Sequence, residues 1–458
     1  MKKKILLCLS LLTTSMVITG CIGGTGFKPE ENDSGYEGEG TVEIDENYSC
    51  KLRLLIPQGN ANETTMIDKC IEGFNEHFPN ITFEKSYVSV NNWESTVRNQ
   101  NLAGTLPDIV WSNSPDFYYL VSAKIAEPLD AYFKNSEDKG IFNLEEDFIT
   151  SFIDMGAMGG KHYLLPRSCD TVVTFYNKKL LTQAGIDISV IKDGWTWDTF
   201  TSVMAQYRSY LDSKGKTDWY VCDANLTTWL SCNYPILRSY GADVLTKEGQ
   251  IAIDSQETRN CLTMVRSLME NKYIVEDGVT PGNSFEVGTA PFLFQSASFS
   301  LFAERRELKG NIDLASFPLI NDNNTPKIGS GIAGYAINRN SNEKAAAWQF
   351  LNYMMSKEGQ EKLAEGGLRL PSIRKDLQDY QTSSWGEGYR ENNLAAYTYG
   401  PEYKIVPEFL SYVDPKIKGD LDLAFKDLFS NVLKRSKTIE KAINTCVLDL
   451  QDALDKLQ

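Results

Sequence analysis

The chain has 458 residues and a formal net charge of −15 at pH 7, with 61 acidic and 46 basic side chains. This acidity argues against nucleic acid or anionic lipid as the main partner, because both carry negative charge themselves. The two histidines, His77 and His162, lie far apart in the sequence. A histidine-rich zinc site and a Ser-His-Asp triad are therefore not expected, and no cofactor is expected.

The first twenty residues are typical of a cleavable export signal. Lysines at positions 2–4 precede an apolar run over 5–18 that is too short to span a bilayer as a mature helix. The tetrapeptide Ile18-Thr-Gly-Cys21 that follows resembles a bacterial lipobox. We therefore predict a lipoprotein signal peptide over 1–20 and lipidation of Cys21. The alternative is an ordinary secreted protein in which this cysteine is incidental.

Residues 21–47 are predicted to be an acidic, glycine-rich tether. After Cys21 the segment contains eight Asp or Glu residues against one Lys and few large apolar groups. Such a composition does not bury a core, so we expect a solvated spacer. A flexible chain of this length would reach roughly 25–30 Å. That is suited to holding a domain just off a membrane surface.

Seven of the nine cysteines remain once Cys8 is cleaved with the signal and Cys21 is lipidated. Their number is odd and none has a CxxC spacing, so at least one is unpaired in a monomer. We expect most of them to be small buried apolar residues. A Cys222–Cys232 or a Cys50–Cys70 disulfide remains open.

The first part of the mature chain alternates strands and helices. Short apolar or alternating runs predict strands over 51–57, 81–88 and 106–111, and helical periodicity predicts helices over 66–77 and 117–124. This order is typical of an α/β fold with mostly parallel strands.

The pattern restarts near residue 163. The stretch Asp170-Thr-Val-Val-Thr-Phe-Tyr176 is rich in β-branched and aromatic residues and predicts one strand. Helices follow over 178–185, 197–210 and 227–240, the second capped by Thr196. From its position alone, Asp170 is open between a ligand contact, a catalytic acid, a metal ligand and a solvated strand end.

The last third contains a predicted strand over 332–337 and then long helices. Asn340-Ser-Asn-Glu343 has the spacing of a capping box. It precedes an amphipathic helix with Trp348, Leu351 and Met354 on its apolar side. A helix pair is predicted over 421–457.

Six segments, taken in this order and behind a lipobox, carry a family resemblance. They are FNEHFPNI, LPDIVWSNSPDFYYLVSAKIAEPLD, GKHYLLP, FYNKKLLTQAGID with WTWDTF, WLSCNYPILRSYGADVL, and GYAINRNSNEKAAAWQFLNYMMSKEGQEKLAEGGLRLPS. Over residues 50–458 the chain resembles the extracellular solute-binding proteins that serve sugar-type ABC importers. Thr174 departs from the family pattern, which usually has an apolar residue there.

The resemblance implies an α/β, two-lobed periplasmic-binding-protein-like fold of type II. The first lobe would hold residues 48–169 and 326–370, and the second 170–320 and 372–458. Ligand would lie in the cleft between the lobes, which close about a multi-segment hinge. The implied partners are a carbohydrate ligand and the transmembrane subunits of an ABC permease. The receptor would be a monomer, outside the cytoplasm and lipid-anchored to the cell membrane, with no enzymatic activity.

The resemblance also places Asp170 in the cleft. It precedes the Tyr176-Asn177 pair by six residues, where the family's maltose binders carry a carboxylate that accepts hydrogen bonds from sugar hydroxyls. Sugar sites combine such acceptors and amides with aromatic rings that cover the apolar ring faces. The further ligand contacts expected on this basis are Asn60, Trp111, Asn113, Trp229, Gly331, Arg369, Trp385 and Tyr399.

Two other functions remain open. A surface glycoside hydrolase would need a second carboxylate at a defined distance from Asp170, and no motif supplies one. A binding protein for a non-sugar solute, such as a polyamine or a phosphorylated polyol, is the other. A phosphorylated ligand would favour clustered cations, and two arginines, Arg167 and Arg369, are too few to indicate such a site.

Overall fold

The computed structural model describes residues 36–58, 61–114, 116–275, 283–320 and 325–457. The predicted signal peptide, Cys21 and the first part of the predicted tether lie outside these residues. No helix in these ranges is long and apolar enough to cross a membrane.

Twelve strands occur in the described ranges. In chain order they are β1 Cys50–Pro57, β2 Ile81–Val88, β3 Ile109–Asn113, β4 Ala157–Met158, β5 Lys161–His162, β6 Leu165–Thr171, β7 Val173–Asn177, β8 Cys222–Asp223, β9 Phe292–Gln295, β10 Ile312–Ser316, β11 Ile328–Ile337 and β12 Lys404–Ile405.

The same ranges contain fifteen α-helices. They are α1 Ala61–His77, α2 Trp93–Leu102, α3 Phe117–Ser122, α4 Asp130–Asp138, α5 Leu144–Asp147, α6 Thr150–Asp154, α7 Lys178–Gln183, α8 Trp197–Ser213, α9 Leu230–Ser239, α10 Gln256–Glu270, α11 Ser300–Ala303, α12 Lys344–Met355, α13 Lys357–Glu365, α14 Lys418–Leu433 and α15 Ile439–Asp455.

The larger sheet forms the first lobe. Its strand order is β12-β11-β3-β1-β2, with β6 also paired to β11. β1 runs parallel to both β2 and β3, which confirms the predicted parallel arrangement. Helices cover the sheet, so the apolar side chains of β1, such as Leu54 and Leu55, are fully buried.

The second lobe is built on a four-stranded sheet with the order β10-β7-β9-β8. β7 lies inside this sheet and is antiparallel to both neighbours, and its residues Val173–Asn177 are all buried. Helix α8 begins after Thr196, whose hydroxyl accepts a hydrogen bond from the Thr199 amide as the sequence predicted. Helices α10, α14 and α15 pack against one another.

The single strand predicted over 170–176 is wrong, because the chain changes sheets within it. β6 ends at Thr171, opposite Ser330 in the first lobe, and β7 begins at Val173, opposite Gln295 in the second. Between them the Val172 amide donates to the Gly329 carbonyl at 2.8 Å. Every residue here favours extended structure, so local propensity does not reveal a change of partner.

The predicted tether is also partly wrong. Residues 36–48 pack along the first lobe, and we call this segment the strap. The Tyr36 hydroxyl donates to Glu127 at 2.9 Å, and the Glu39 amide donates to the same carboxylate at 2.8 Å. Val42 is 3% exposed, and the Glu39 carboxylate pairs with Lys344. The polar groups of the strap therefore bind partners far away in sequence, which composition does not reveal.

Two smaller expectations are corrected as well. Helix α12 begins at Lys344 without a side-chain cap, because Ser341 accepts from the Glu343 amide and donates to Asp108 instead. The capping box is therefore not formed. All seven cysteines in the described ranges are free, so neither open disulfide is present. Six of the seven are buried, which confirms their expected apolar role.

Candidate functional site

Asp170 lies at the end of β6, where the chain leaves the first sheet for the second. Its register partner on β11 is Gly331. The backbone carbonyl of Asp170 accepts a hydrogen bond from the Ser330 hydroxyl at 2.6 Å. A Cβ atom built on Gly331 meets no other atom within 4 Å. The backbone of β11 is therefore flanked by open space directly beside Asp170.

A buried ion pair lies next to this carboxylate. Nε and Nη2 of Arg167 donate to the two carboxylate oxygens of Glu63 at 2.9 and 2.7 Å. The Tyr335 hydroxyl donates to Glu63 at 3.0 Å, and Nη1 of Arg167 donates to the Ser168 hydroxyl at 2.7 Å. Glu63 is 1% exposed, so the first turn of α1 brings a fully enclosed charge to the site.

These neighbours set the electrostatics of Asp170. The side chain is half-buried, and the loss of water raises the pKa of its carboxyl to about 6. The Arg167 guanidinium lowers that pKa and the Glu63 carboxylate raises it. A fully solvated strand end, one of the alternatives left open by the sequence, therefore does not describe Asp170, because its carboxyl is desolvated. At neutral pH it is still mostly ionised and accepts hydrogen bonds.

Two side chains from the late segment lie near the same position. The Tyr397 hydroxyl donates to the Ala297 carbonyl at 2.6 Å, and the Asp170 carboxylate adds to the burial that raises the pKa of Tyr397. The Lys404 ammonium donates to the Tyr397 carbonyl at 2.8 Å and lies 4.8 Å from the centre of the Phe152 ring. Burial lowers the pKa of Lys404. Lys404 also lines a cavity of about 670 Å³ between Tyr118 and the 404–412 segment.

Trp111 and Asn113 occupy the end of β3. Trp111 is 5% exposed, and its carbonyl accepts from the Trp93 indole at 2.8 Å. Its own Nε1 and the Asn113 Oδ1 are buried and have no hydrogen-bond partner among the described residues. Unpaired buried polar atoms are uncommon and often mark positions that a ligand or water completes. Asn60, which was expected beside them, lies outside the described residues.

Trp229 contributes to the second lobe. It immediately precedes α9, is half-buried, and lines a cavity of about 510 Å³ at the ends of β8 and β9. Tyr399 is half-buried with its hydroxyl against Gly194, where a Cβ atom would lie only 2.5 Å from the hydroxyl oxygen. The Gly194 amide binds Ser316, the β10 residue opposite Val173. Tyr399 is thus at the same end of the second sheet as the chain crossing.

Arg369 and Trp385 make their contacts with a different segment. The Arg369 guanidinium donates to the Ser384 carbonyl and lies 3.8 Å from Glu387. Trp385 is 2% exposed, and its indole donates to the Leu377 carbonyl at 2.9 Å. In these contacts both side chains hold the 377–387 segment together, and their predicted ligand contacts stay predictions.

Comparison with known proteins identifies the family. The model of the bacterial extracellular solute-binding protein family matches residues 59–361. The chain belongs to this family. A Brucella abortus relative named only as a binding protein is 23% identical to this solute-binding protein over 370 residues, covering 76% of this chain and 81% of the relative. The arabinooligosaccharide-binding protein of Halalkalibacterium halodurans is 24% identical over 230 residues, covering 47% and 45%.

A solved structure confirms the fold of this solute-binding protein. An ABC substrate-binding protein from Listeria monocytogenes, in complex with cycloalternan, superposes with a TM-score of 0.70 at 18% identity. The match covers 89% of this chain and 100% of the other. The predicted two-lobed α/β fold is therefore correct, whereas the predicted lobe boundaries stay predictions.

Sequence reasoning missed Glu63 and Lys404. An acidic residue in the first turn of a helix usually interacts with the helix dipole, so Glu63 carried no distinct signal. Lys404 lies between Tyr403 and Ile405, and nothing in this local sequence indicates a buried lysine. Both are recognisable only once α1 and β12 are packed against the first sheet.

Proposed function

We propose that the protein is the lipid-anchored solute-binding component of an ABC importer, which captures a sugar or oligosaccharide between its lobes and delivers it to the permease. The observation that carries the proposal is the half-buried Asp170 carboxylate at the chain crossing, beside the open space at Gly331. An ionised acceptor next to an unfilled space is suited to a ligand with many hydroxyl groups.

The names of two similar proteins support a carbohydrate ligand. The Halalkalibacterium halodurans relative is named as arabinooligosaccharide-binding, and the Listeria monocytogenes structure contains cycloalternan. Both favour a carbohydrate over a polyamine or a phosphorylated polyol. In our proposal Asp170 accepts hydrogen bonds from ligand hydroxyls, Asn113 and Gly331 line the first-lobe wall, and Trp229 and Tyr399 offer ring faces from the second lobe.

Binding without hydrolysis is the proposed activity. A glycoside hydrolase acts with two carboxylates that flank the scissile bond. Glu63 is the acidic group whose charge raises the pKa of Asp170. Its two carboxylate oxygens, however, accept hydrogen bonds from Arg167 and Tyr335. It is therefore poorly placed to act as an acid or a nucleophile. Oligosaccharides incubated with the protein should stay intact, and hydrolysis products would overturn the receptor proposal.

The anchor is a separate part of the proposal, supported by the lipobox-like tetrapeptide that ends at Cys21. A Cys21→Ser variant should stay unprocessed or be released from the membrane. If the variant is processed and still sediments with membranes, the anchor assignment is wrong, whereas the ligand proposal is unaffected.

The ligand is best tested in two steps. A thermal-shift screen against mono- and oligosaccharides identifies sugars that bind the folded state, because such binding raises the melting temperature by mass action. Calorimetry then compares the wild type with Asp170→Ala. Loss of a charge-assisted hydrogen bond of about 1.5–3 kcal/mol should weaken binding roughly ten- to a hundredfold. Unchanged affinity with a large drop in melting temperature would make Asp170 structural.

Lobe closure is the remaining part of the proposal. Contacts on both lobes should draw them together, so small-angle scattering should give a smaller radius of gyration with a sugar found in the screen. An unchanged profile at saturation would contradict closure.

A further inference from the structure

The second lobe holds a carboxylate that the proposed ligand contacts do not use. Asp223 ends β8, is 1% exposed, and lines the 510 Å³ cavity that also contains Trp229. Its Oδ2 accepts a hydrogen bond from the Phe285 amide at 2.6 Å. Its Oδ1 is buried and has no hydrogen-bond partner in the part of the chain that the structure describes. A buried acceptor without a donor is an exception that needs an explanation.

None of the described residues that line the cavity is cationic, so no positive charge there compensates the Asp223 carboxylate. The pKa of Asp223 is raised to about 6, chiefly by burial and also by the Glu286 carboxylate, although hydrogen bonds from the Phe285 amide and the Ser284 hydroxyl lower it. Glu286 is paired with Arg305, so that cation is already neutralised. The cavity therefore favours a group that donates hydrogen bonds and disfavours an anionic one.

The other walls offer amides and ring faces. Asn225 and Thr228 line the cavity and hold each other, with the Asn225 Nδ2 donating to the Thr228 hydroxyl at 2.7 Å. Gln295 lies at the end of β9, and Trp229 and Phe302 present aromatic rings to the same space. A cavity of about 510 Å³ that combines these polar groups with several aromatic rings has the size of a small-molecule site.

The register of the strands places this cavity within reach of Asp170. Val173, three residues after Asp170, lies opposite Gln295, and Asp223 lies opposite Leu293. At roughly 3.3 Å per residue and 4.8 Å per strand, the two aspartate backbones are separated by at most about 26 Å. A ligand of several rings spans that distance, whereas a monosaccharide does not.

We propose that this cavity is a second ligand subsite, in which the far end of an extended ligand donates a hydrogen bond to Oδ1 of Asp223 and lays a ring face on Trp229. The inference rests on the proposed function, and it adds that the ligand is an oligosaccharide rather than a single sugar. The donor is a hydroxyl or an ammonium group, as found in neutral and in amino sugars respectively.

Asp223→Asn is the central variant, because it keeps the oxygen that accepts from Phe285 and removes both the negative charge and the unpartnered oxygen Oδ1. Calorimetry compares the wild type and this variant with glucose, maltose, maltotriose, arabinotriose and the glucosamine trimer. We expect trisaccharide affinity to fall roughly tenfold in the variant and monosaccharide affinity to stay unchanged. Larger losses for the glucosamine trimer that diminish with salt identify an ammonium donor, and equal losses for the neutral trimers identify a hydroxyl.

The melting temperature without sugar gives a second readout. Asp223→Asn should melt higher than the wild type at pH 8, because it removes a charge that burial and the Glu286 carboxylate disfavour. Asp243→Asn is the matched control: Asp243 lies in the same lobe but binds Arg238, Tyr234 and its neighbouring amide, so this variant should melt lower and bind normally.

A lower melting temperature for Asp223→Asn, with trisaccharide binding unchanged, would make Asp223 structural and overturn the subsite. If no sugar raises the melting temperature of the wild type, the proposed function fails first and the subsite falls with it. The two failures are therefore distinguishable.

Discussion

Arg167 and Glu63 form a bidentate ion pair inside the first lobe, with N–O distances of 2.9 and 2.7 Å and less than a tenth of either side chain exposed. The pair joins β6 to the first turn of α1 across 104 residues of sequence. Because the Arg167 charge also acts on Asp170, the pair connects the stability of the first lobe with the electrostatics of the proposed ligand site.

Breaking this ion pair should be costly. Removal of one partner leaves a buried charge without compensation, so Arg167→Met and Glu63→Gln should each lower the free energy of unfolding by roughly 3–5 kcal/mol. The double variant should lose clearly less than the sum of the two. Urea unfolding of all three proteins measures this. Single-variant losses below about 1 kcal/mol would contradict the buried pair.

Asp170 should reduce stability above its own pKa. Its pKa in the folded protein is about 6, above the ordinary value of 3.8, so ionisation of the folded state carries a penalty. That penalty is complete above pH 6 and disappears as the pH falls toward 4. Asp170→Asn should therefore melt higher than the wild type at pH 8, and the difference should close near pH 4. A difference independent of pH would rule out this origin.

A small side chain at position 331 should be tolerated, whereas a large one should fill the space that the ligand needs. A Cβ atom at Gly331 meets nothing within 4 Å, so Gly331→Ala should keep the wild-type melting temperature. Gly331→Leu should fold and lose binding of any sugar found in the screen. The neighbouring Gly334 is the control, because its Cβ would lie 2.0 Å from the Leu165 carbonyl oxygen. Gly334→Ala should therefore destabilise strongly. Normal sugar binding by Gly331→Leu would place the ligand elsewhere.

The strap should contribute to the stability of the first lobe. A chain that begins at residue 49 loses the burial of Val42 and leaves Lys344, whose side chain is 9% exposed, without Glu39. Burial of one valine side chain alone stabilises by about 1.5–3 kcal/mol. We expect this chain to melt several degrees below one that begins at residue 36. Equal melting temperatures would show that the strap is only loosely held.

The sequence by itself determined the elements whose signals are local. The buried run of β1, the Thr196 cap of α8 and the apolar face of α12 with Trp348 were predicted correctly. Each depends on residues a few positions apart, because hydrophobic periodicity and capping are properties of neighbouring residues. The family order of segments likewise identified the two-lobed fold.

Only the tertiary structure decided the features that depend on distant partners. The change of sheets at Val172, the packing of the strap and the replacement of the expected capping box by the Ser341–Asp108 hydrogen bond all pair residues far apart in sequence. The same holds for the desolvation of Asp170 and the unpartnered oxygen of Asp223. Burial and hydrogen-bond pairing are set by which elements meet, and the local pattern of one segment carries no information about the segment it meets.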